Sequence, residues 1–268
     1  MEEDLDALYS VLGWDSSPRS NRLVESYVKL RKLLSLGLLR ECLTGKKHVK
    51  VLDCCSGGGI GGYALAKALE DEGFVPEVLF VDLACSLLPR VSQRVLLSDS
   101  VCGDARNLSF LRPRLFDISV IWGCSSAHFN PFEMHRVLAG LSLALSSNGC
   151  LLIEEVDRMQ SVFLGTGYRY VWPEPSDRAA ISLHRGYDPC TSTVRRALID
   201  LSSGRIVEHR VCMLWTPALV AALAYPYFRE VEIVLESESR GIVVCCKPRG
   251  SISARDAMSF AEPLTHYL

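Results

Sequence analysis

Short apolar runs that stop at an acid or a glycine recur along the first half of the chain, with amphipathic stretches between them. Val51 and Leu52 lead to Asp53 and into Cys54-Cys55-Ser56-Gly57-Gly58-Gly59-Ile60-Gly61-Gly62, after which come a helical stretch at 63–69 and the turn Glu72-Gly73. Residues 78–81 form a short buried strand ending at Asp82, and 95–97 lead through 98–102 into Gly103-Asp104-Ala105. Residues 116–123 read as a fourth strand. A fifth, 150–153, follows Asn148-Gly149 and ends in Glu154-Glu155-Val156-Asp157. Strands alternating with helices predict a parallel sheet covered on both faces.

An acidic start and the turn Asp15-Ser16-Ser17-Pro18 precede a helix predicted over 21–42, whose Leu23, Tyr27, Leu30, Leu34 and Leu38 share one face. This helix packs over the sheet edge or forms a lid, with Lys29, Arg31, Lys32 and Arg40 on its solvated side. Further on, 192–200 and 205–215 read as strands joined by Leu201-Ser202-Ser203-Gly204, a β-hairpin inserted after the fifth strand. Residues 228–235 and 241–246 form a closing hairpin, and 254–261 a short helix. The chain thus divides into an N-terminal helical segment (1–44), an α/β domain (45–250) with an inserted cap at about 158–216, and a tail (251–268).

With 268 residues, 49% of them hydrophobic, the chain can bury one large core. No apolar run reaches the roughly twenty residues of a bilayer span, and no secretion signal opens the chain, so a cytoplasmic protein with no membrane partner is expected. The eleven cysteines contain no C-x-x-C pair. Cys54, Cys150, Cys245 and Cys246 fall in predicted buried strands and read as small core residues, one or two disulfides remain open, and no metal site is expected. A net charge of −2 without a lysine-arginine cluster speaks against a nucleic-acid partner.

Five of the six positions 57–62 are glycine. Such a turn lets a backbone approach a ligand closely and leaves the N–H groups that open the next helix free to bind it. The spacing Gly57-x-Gly59-x-x-Gly62 also fits a dinucleotide fingerprint. Against that, an acid near the end of a strand buried on both faces needs a partner to offset its desolvation.

Asp53 before this turn resembles motif I of class I S-adenosylmethionine-dependent methyltransferases, with Cys55 where the family's Asp-x-Gly-x-Gly-x-Gly pattern has its first glycine. The resemblance implies a doubly wound, mostly parallel sheet of seven strands with an antiparallel C-terminal strand, and S-adenosyl-L-methionine as cofactor. Asp53 would order the turn formed by Cys55, Gly57 and Gly59 and hold the cofactor's methionine ammonium. Asp82, followed by Leu83, would accept both ribose hydroxyls. Asp104 would face the exocyclic amine of adenine and the Ala105 amide its ring, while Trp122 and Gly123 pass beneath the methionine part.

In small-molecule methyltransferases that this chain resembles, such an insertion stands above the carboxyl ends of the strands, where an open α/β sheet binds ligands. Phe163, Tyr168, Tyr170, Trp172 and Tyr187, mixed with Arg169, Arg178 and Arg185, suit a flat or anionic small acceptor. Tyr168, Arg169, His184 and Tyr187 are the candidate acceptor-binding residues. The same aromatics also read as the insertion's own core or as a homodimer interface. His128, just past the fourth strand, is the candidate general base; His184, Tyr187 and Asp157 are weaker candidates.

Asn130-Pro131-Phe132 lies too far beyond the fourth strand to be an amino-methylating signature, and reads as a capping box closed by Glu133. Pro189-Cys190 opens the hairpin and is not read as the nucleophile of a cytosine methyltransferase. The expected function is methyl transfer to a small-molecule acceptor. Methylation of RNA or protein, and a non-catalytic cofactor-binding role, are the alternatives, the last disfavoured by the presence of Asp53, Asp82 and Asp104.

Overall fold

The computed structural model describes residues 5–12, 21–89, 98–174, 179–249 and 264–267; the turn at 15–18, the strand lead at 95–97, Arg178 and the tail helix at 254–261 lie outside them. Helices α1 (Leu5–Leu12), α2 (Asn21–Leu33) and α3 (Gly37–Leu43) precede β1 (His48–Cys54), α4 (Ile60–Asp71), β2 (Val75–Asp82), β3 (Ser98–Cys102) and β4 (Phe116–Ile121). After a 3-10 turn (Ser125–His128) come α5 (Pro131–Ala144), β5 (Leu145–Val156) and a π-helical segment (Met159–Thr166). The inserted strands β6 (Val171–Pro173), β7 (Ala180–Asp188), β8 (Thr193–Asp200) and β9 (Ile206–Cys212) follow, then α6 (Pro217–Ala224), β10 (Phe228–Ser237), β11 (Arg240–Pro248) and β12 (Leu264–Tyr267).

The main sheet runs β12-β10-β11-β5-β4-β1-β2-β3. β1 to β5 are parallel to one another, while β11 is antiparallel to both β5 and β10. Seven of these strands are the expected ones; β12, from a tail that carried no strand signal, adds an eighth, parallel to β10. Along β1 successive side chains serve opposite cores. Val49 and Val51 pack with Leu30, Leu33, Leu39, Leu65 and Leu69 of α2, α3 and α4, whereas Leu52 and Cys54 pack with Met134, Val137, Leu138 and Leu141 of α5 and Val220 and Ala221 of α6. Burial on both faces explains the continuous apolar character of these strands, each full side-chain burial contributing about 1.5–3 kcal/mol.

Four sequence expectations change. The helix expected over 21–42 breaks at Leu34–Leu36 into α2 and α3. α2 packs on α4, and the break lets α3 turn onto β5 and β11, burying Leu39, Cys42 and Leu43 there. Lys29 is not on a solvated face: its ammonium pairs with Glu154 and Glu236, each at 2.8 Å. The inserted hairpin is the middle of a four-stranded antiparallel sheet, β6-β7-β8-β9, whose Ala180, Leu198 and Val207 pack against Ala7, Leu8, Val11 and Leu12 of α1. Asn148-Gly149 lies inside β5 as an irregularity, since Phe116 pairs with Leu145 and Ile118 with Cys150.

Cys54 and Cys245 are core residues as expected, but Cys150 is joined to Cys246 and Cys85 to Cys102. Among the described residues, no helix is long and apolar enough to cross a membrane.

Candidate active site

The order β3-β2-β1-β4-β5 reverses direction between β1 and β4, and an open α/β sheet leaves a crevice at the strand ends there. A cavity of about 510 Å³ occupies this place. Cys55, Gly57, Asp82, Leu83, Asp104, Ala105, Trp122, Gly123 and His128 all line it.

The turn after β1 is held by two carboxylates. Asp53 is fully buried, and its Oδ2 accepts the Gly62 N–H at 2.7 Å, fastening the first turn of α4 to the end of β1. Burial pushes its carboxyl up to about 7, the Gly62 bond opposing this, and its Oδ1 has no hydrogen-bond partner. Asp82 Oδ2 accepts the Gly57 N–H at 2.7 Å and its Oδ1 accepts the Ala84 N–H at the same distance. Burial raises the Asp82 carboxyl, against these backbone bonds.

Gly57 and Gly59 both have positive φ, +49° and +85°, but differ in surroundings. A side-chain carbon on Gly57 would meet nothing within 4 Å, whereas one on Gly59 would lie 2.7 Å from Pro89 and 2.9 Å from Phe80. Gly59 therefore serves helix entry and close packing, and neither it nor Asp53 lines the cavity. Asp53 stands behind the turn and orders it, with Oδ1 beside Gly61, which does line the cavity.

Cys55 sits at φ +62°, a left-handed conformation that costs a residue with a Cβ about 1–2 kcal/mol. Glycine would remove that strain at the expense of a more flexible unfolded chain. Cys55→Gly should therefore raise stability by about 1 kcal/mol, or about 2 °C in Tm by calorimetry. A lower Tm would mean that the thiol's packing outweighs the backbone strain.

Asp104 lines the cavity with its two carboxylate oxygens paired to a neighbour. Arg106 engages both of them through its backbone N–H at 2.8 Å, its Nε at 2.9 Å and a terminal nitrogen at 2.7 Å. Burial would raise the Asp104 carboxyl, but these bonds and the guanidinium charge hold it below the usual range. Arg106 also reaches Glu133 at 3.0 Å, the residue that closes the capping box on Asn130 at the start of α5.

The floor at the end of β4 is anchored from two sides. Trp122 Nε1 donates to Ser26 Oγ at 2.8 Å, and the Gly123 N–H donates at 2.9 Å to Glu154, itself paired with Lys29. Arg22 lies over Gly123, where a side-chain carbon would come 3.3 Å from its guanidinium.

His128 ends the 3-10 turn, with Nε2 at 2.9 Å from the Tyr9 hydroxyl and Nδ1 buried without a partner. Burial, helped by the charge of Arg158, lowers His128 to about 4, so the ring is neutral at physiological pH. Arg158 pairs with Glu155, which accepts from Ser126, and donates to the Cys124 carbonyl at 3.0 Å, fixing the turn that carries His128. His209 of β9, near His128 and Arg196, is likewise lowered to about 4 by burial first, and neither of its ring nitrogens has a partner.

The candidate acceptor residues lie elsewhere. Tyr168, Arg169, His184 and Tyr187 do not line the cavity. Tyr168 bonds His184 at 2.7 Å and Arg196 at 2.9 Å and stacks on Phe163, Arg169 lies over Trp172, and Tyr187 is 55% exposed. These aromatics pack within the insertion, the second reading of the sequence. Instead, Leu5, Asp6 and Tyr9 of α1, Arg22 of α2 and Arg210 of β9 line the cavity. Tyr9 stands four residues from Leu5 and three from Asp6, a spacing that puts it on the same helix side as both.

The chain aligns in space with solved structures over most of its length. The PH0226 protein from Pyrococcus horikoshii OT3 matches with a TM-score of 0.58 and 22% identity, over 90% of this chain and 98% of that one. The CcbJ methyltransferase from Streptomyces caelestis gives 0.54 and 16%, over 89% and 100%. An S-adenosylmethionine-dependent methyltransferase from Clostridium acetobutylicum ATCC 824 gives 0.52 and 15%, over 84% and 92%. No family model matches the sequence, and no curated protein does. The fold is the class I S-adenosylmethionine-dependent methyltransferase fold.

Proposed function

We propose that the protein binds S-adenosylmethionine in this cavity and transfers its methyl group to a small-molecule acceptor. The observation that carries the reading is the clamp between two strand ends, the Gly57 N–H on Asp82, set in a turn that leaves space where a Gly57 side chain would stand. Ser56 beside it lines the cavity with a buried hydroxyl that has no partner, a polar atom suited to a ligand. These residues fit the cofactor. Each Asp82 oxygen can accept about two hydrogen bonds, so the pair retains capacity for the ribose hydroxyls. Arg22, above Gly123, supplies a cation where the methionine carboxylate would lie.

When bound, S-adenosylmethionine supplies a methyl already activated by the sulfonium. The protein's part is to orient both reactants, exclude water and accept a proton where the nucleophile carries one. Trp122 and Gly123 form the floor, α1 covers the opening through Leu5, Asp6 and Tyr9, and neutral His128 with Tyr9 is the proton-accepting group. A cavity of about 510 Å³, roofed by a helix and an inserted strand, favours a small acceptor over a polymer.

Calorimetry with S-adenosylhomocysteine should show one-to-one binding. Asp82→Ala should weaken it about tenfold or more, since hydrogen bonds to a charged group contribute about 1.5–3 kcal/mol each. Unchanged affinity would remove Asp82 from the site, and preference for NAD would remove the methyltransferase reading.

A further inference from the structure

Two disulfides join described residues, and they differ in where they stand. Cys150 and Cys246 face each other across β5 and β11, buried in a sheet whose ladder already pairs them. Cys85 and Cys102 are both exposed and stand beside the cavity. Cys102 ends β3 and precedes Gly103 and Asp104, while Cys85 lies in the loop after β2, just beyond Asp82. Asp82, Leu83, Leu87, Gly103 and Asp104 all line the cavity, so the bond joins two segments of its wall. The β2–β3 ladder ends at Asp82 and Cys102, with one further bond from the Gly103 N–H to the Asp82 carbonyl at 3.0 Å. Past that point the loop is tied by Ala84 to Asp82, by Ser86 to Asp6 of α1, and by the Ser100 hydroxyl, which donates to the Pro89 carbonyl at 2.8 Å. The disulfide adds a covalent tie where the ladder stops.

We propose that Cys85–Cys102 is a thiol-responsive switch on the cofactor cavity: the bonded form holds the 83–89 loop as a wall of the site, and a dithiol reductant releases the loop and weakens cofactor binding. This rests on the cofactor reading of the cavity. One thiolate of the reductant attacks an exposed sulfur, the Cys85–Cys102 bond breaks, and a mixed disulfide forms while the other cysteine leaves as a thiolate and takes up a proton. The reductant's second thiol, deprotonated, then displaces the remaining cysteine and closes the reductant's own disulfide. Two electrons pass to the protein, which gains two thiols. Attack needs access, which the exposed pair gives and the buried Cys150–Cys246 pair does not. Once the bond is cut, Leu83 and Leu87 are held against the end of β3 by hydrogen bonds alone. Ordering that wall around a ligand then costs conformational freedom that the disulfide had already removed.

The test uses the full chain, titrated with S-adenosylhomocysteine by calorimetry before and after dithiothreitol, with accessible thiols counted under native conditions. Dithiothreitol should expose additional thiols and lower S-adenosylhomocysteine affinity at least about fivefold, and both effects should reverse with oxidised glutathione. Cys85→Ser and Cys102→Ser should each bind like the reduced protein and no longer respond to dithiothreitol. Amide hydrogen exchange over 83–88 should quicken on reduction, a readout that needs no ligand. No gain of thiols, unchanged affinity, unchanged exchange, or a reductant response surviving in Cys85→Ser would overturn the proposal. Failure of the untreated protein to bind S-adenosylhomocysteine would instead overturn the cofactor reading, while the thiol count and the exchange still decide whether the bond holds the loop.

Discussion

Gly57→Val is expected to abolish S-adenosylhomocysteine binding, by at least about a hundredfold or about 2.8 kcal/mol, while leaving a folded protein. No protein atom lies within 4 Å of the added carbon, so the branched side chain is accommodated by the fold and extends into the cavity that Gly57 lines. The positive φ of +49° adds a strain of about 1–2 kcal/mol, visible as a modest fall in Tm and insufficient to unfold a domain of this size. Gly57→Ala, one carbon with the same backbone penalty, should fall between the two. Gly59→Val is not an equivalent test, because its side chain would strike Pro89 and Phe80 and disturb the entry to α4. Calorimetry and thermal denaturation of Gly57→Val together decide the matter. Normal affinity in a folded variant would make the turn purely structural.

The strand ends and the turn were legible in sequence because their signals are local. An apolar run stopping at Asp53 or Asp82 says where a strand ends, and the glycines beyond Asp53 say that a backbone must turn closely there. The cavity residues contributed by α1 and β9 were not legible in that way. Tyr9 meets His128 across 119 residues of sequence, and no period or motif encodes such a meeting. The segment before the turn at 15–18 was read only as an acidic start, and helix α1 was not predicted.

Lys29 fails the solvated-face rule for the same reason, since its partners Glu154 and Glu236 arrive from β5 and β10. The insertion's aromatics read two ways in sequence because composition cannot tell a small core from a pocket wall. Tyr168, His184 and Arg196 satisfy one another, and only the four-stranded sheet shows that they do so away from the cavity.

His128→Ala should lower kcat by about 10²–10⁴ while S-adenosylhomocysteine affinity stays nearly unchanged, because a proton acceptor acts on the transition state and not on the bound cofactor. The pH dependence distinguishes this role from a structural one. Burial and the Arg158 charge hold His128 at about 4, with Glu155 paired to Arg158, Tyr9 on its Nε2, and His209 nearby also neutral above about 4. The ring is thus unprotonated above that pH and ready to accept a proton. Turnover should stay flat through the ordinary histidine range and fall only as pH drops through about 4, and the variant should lose that limb. A fall centred near pH 6.5 would contradict the buried, neutral His128, and full turnover in His128→Ala would leave alignment alone to drive transfer. A base this weak suits a nucleophile whose own proton is acidic, since proton transfer is most effective between groups of matched affinity.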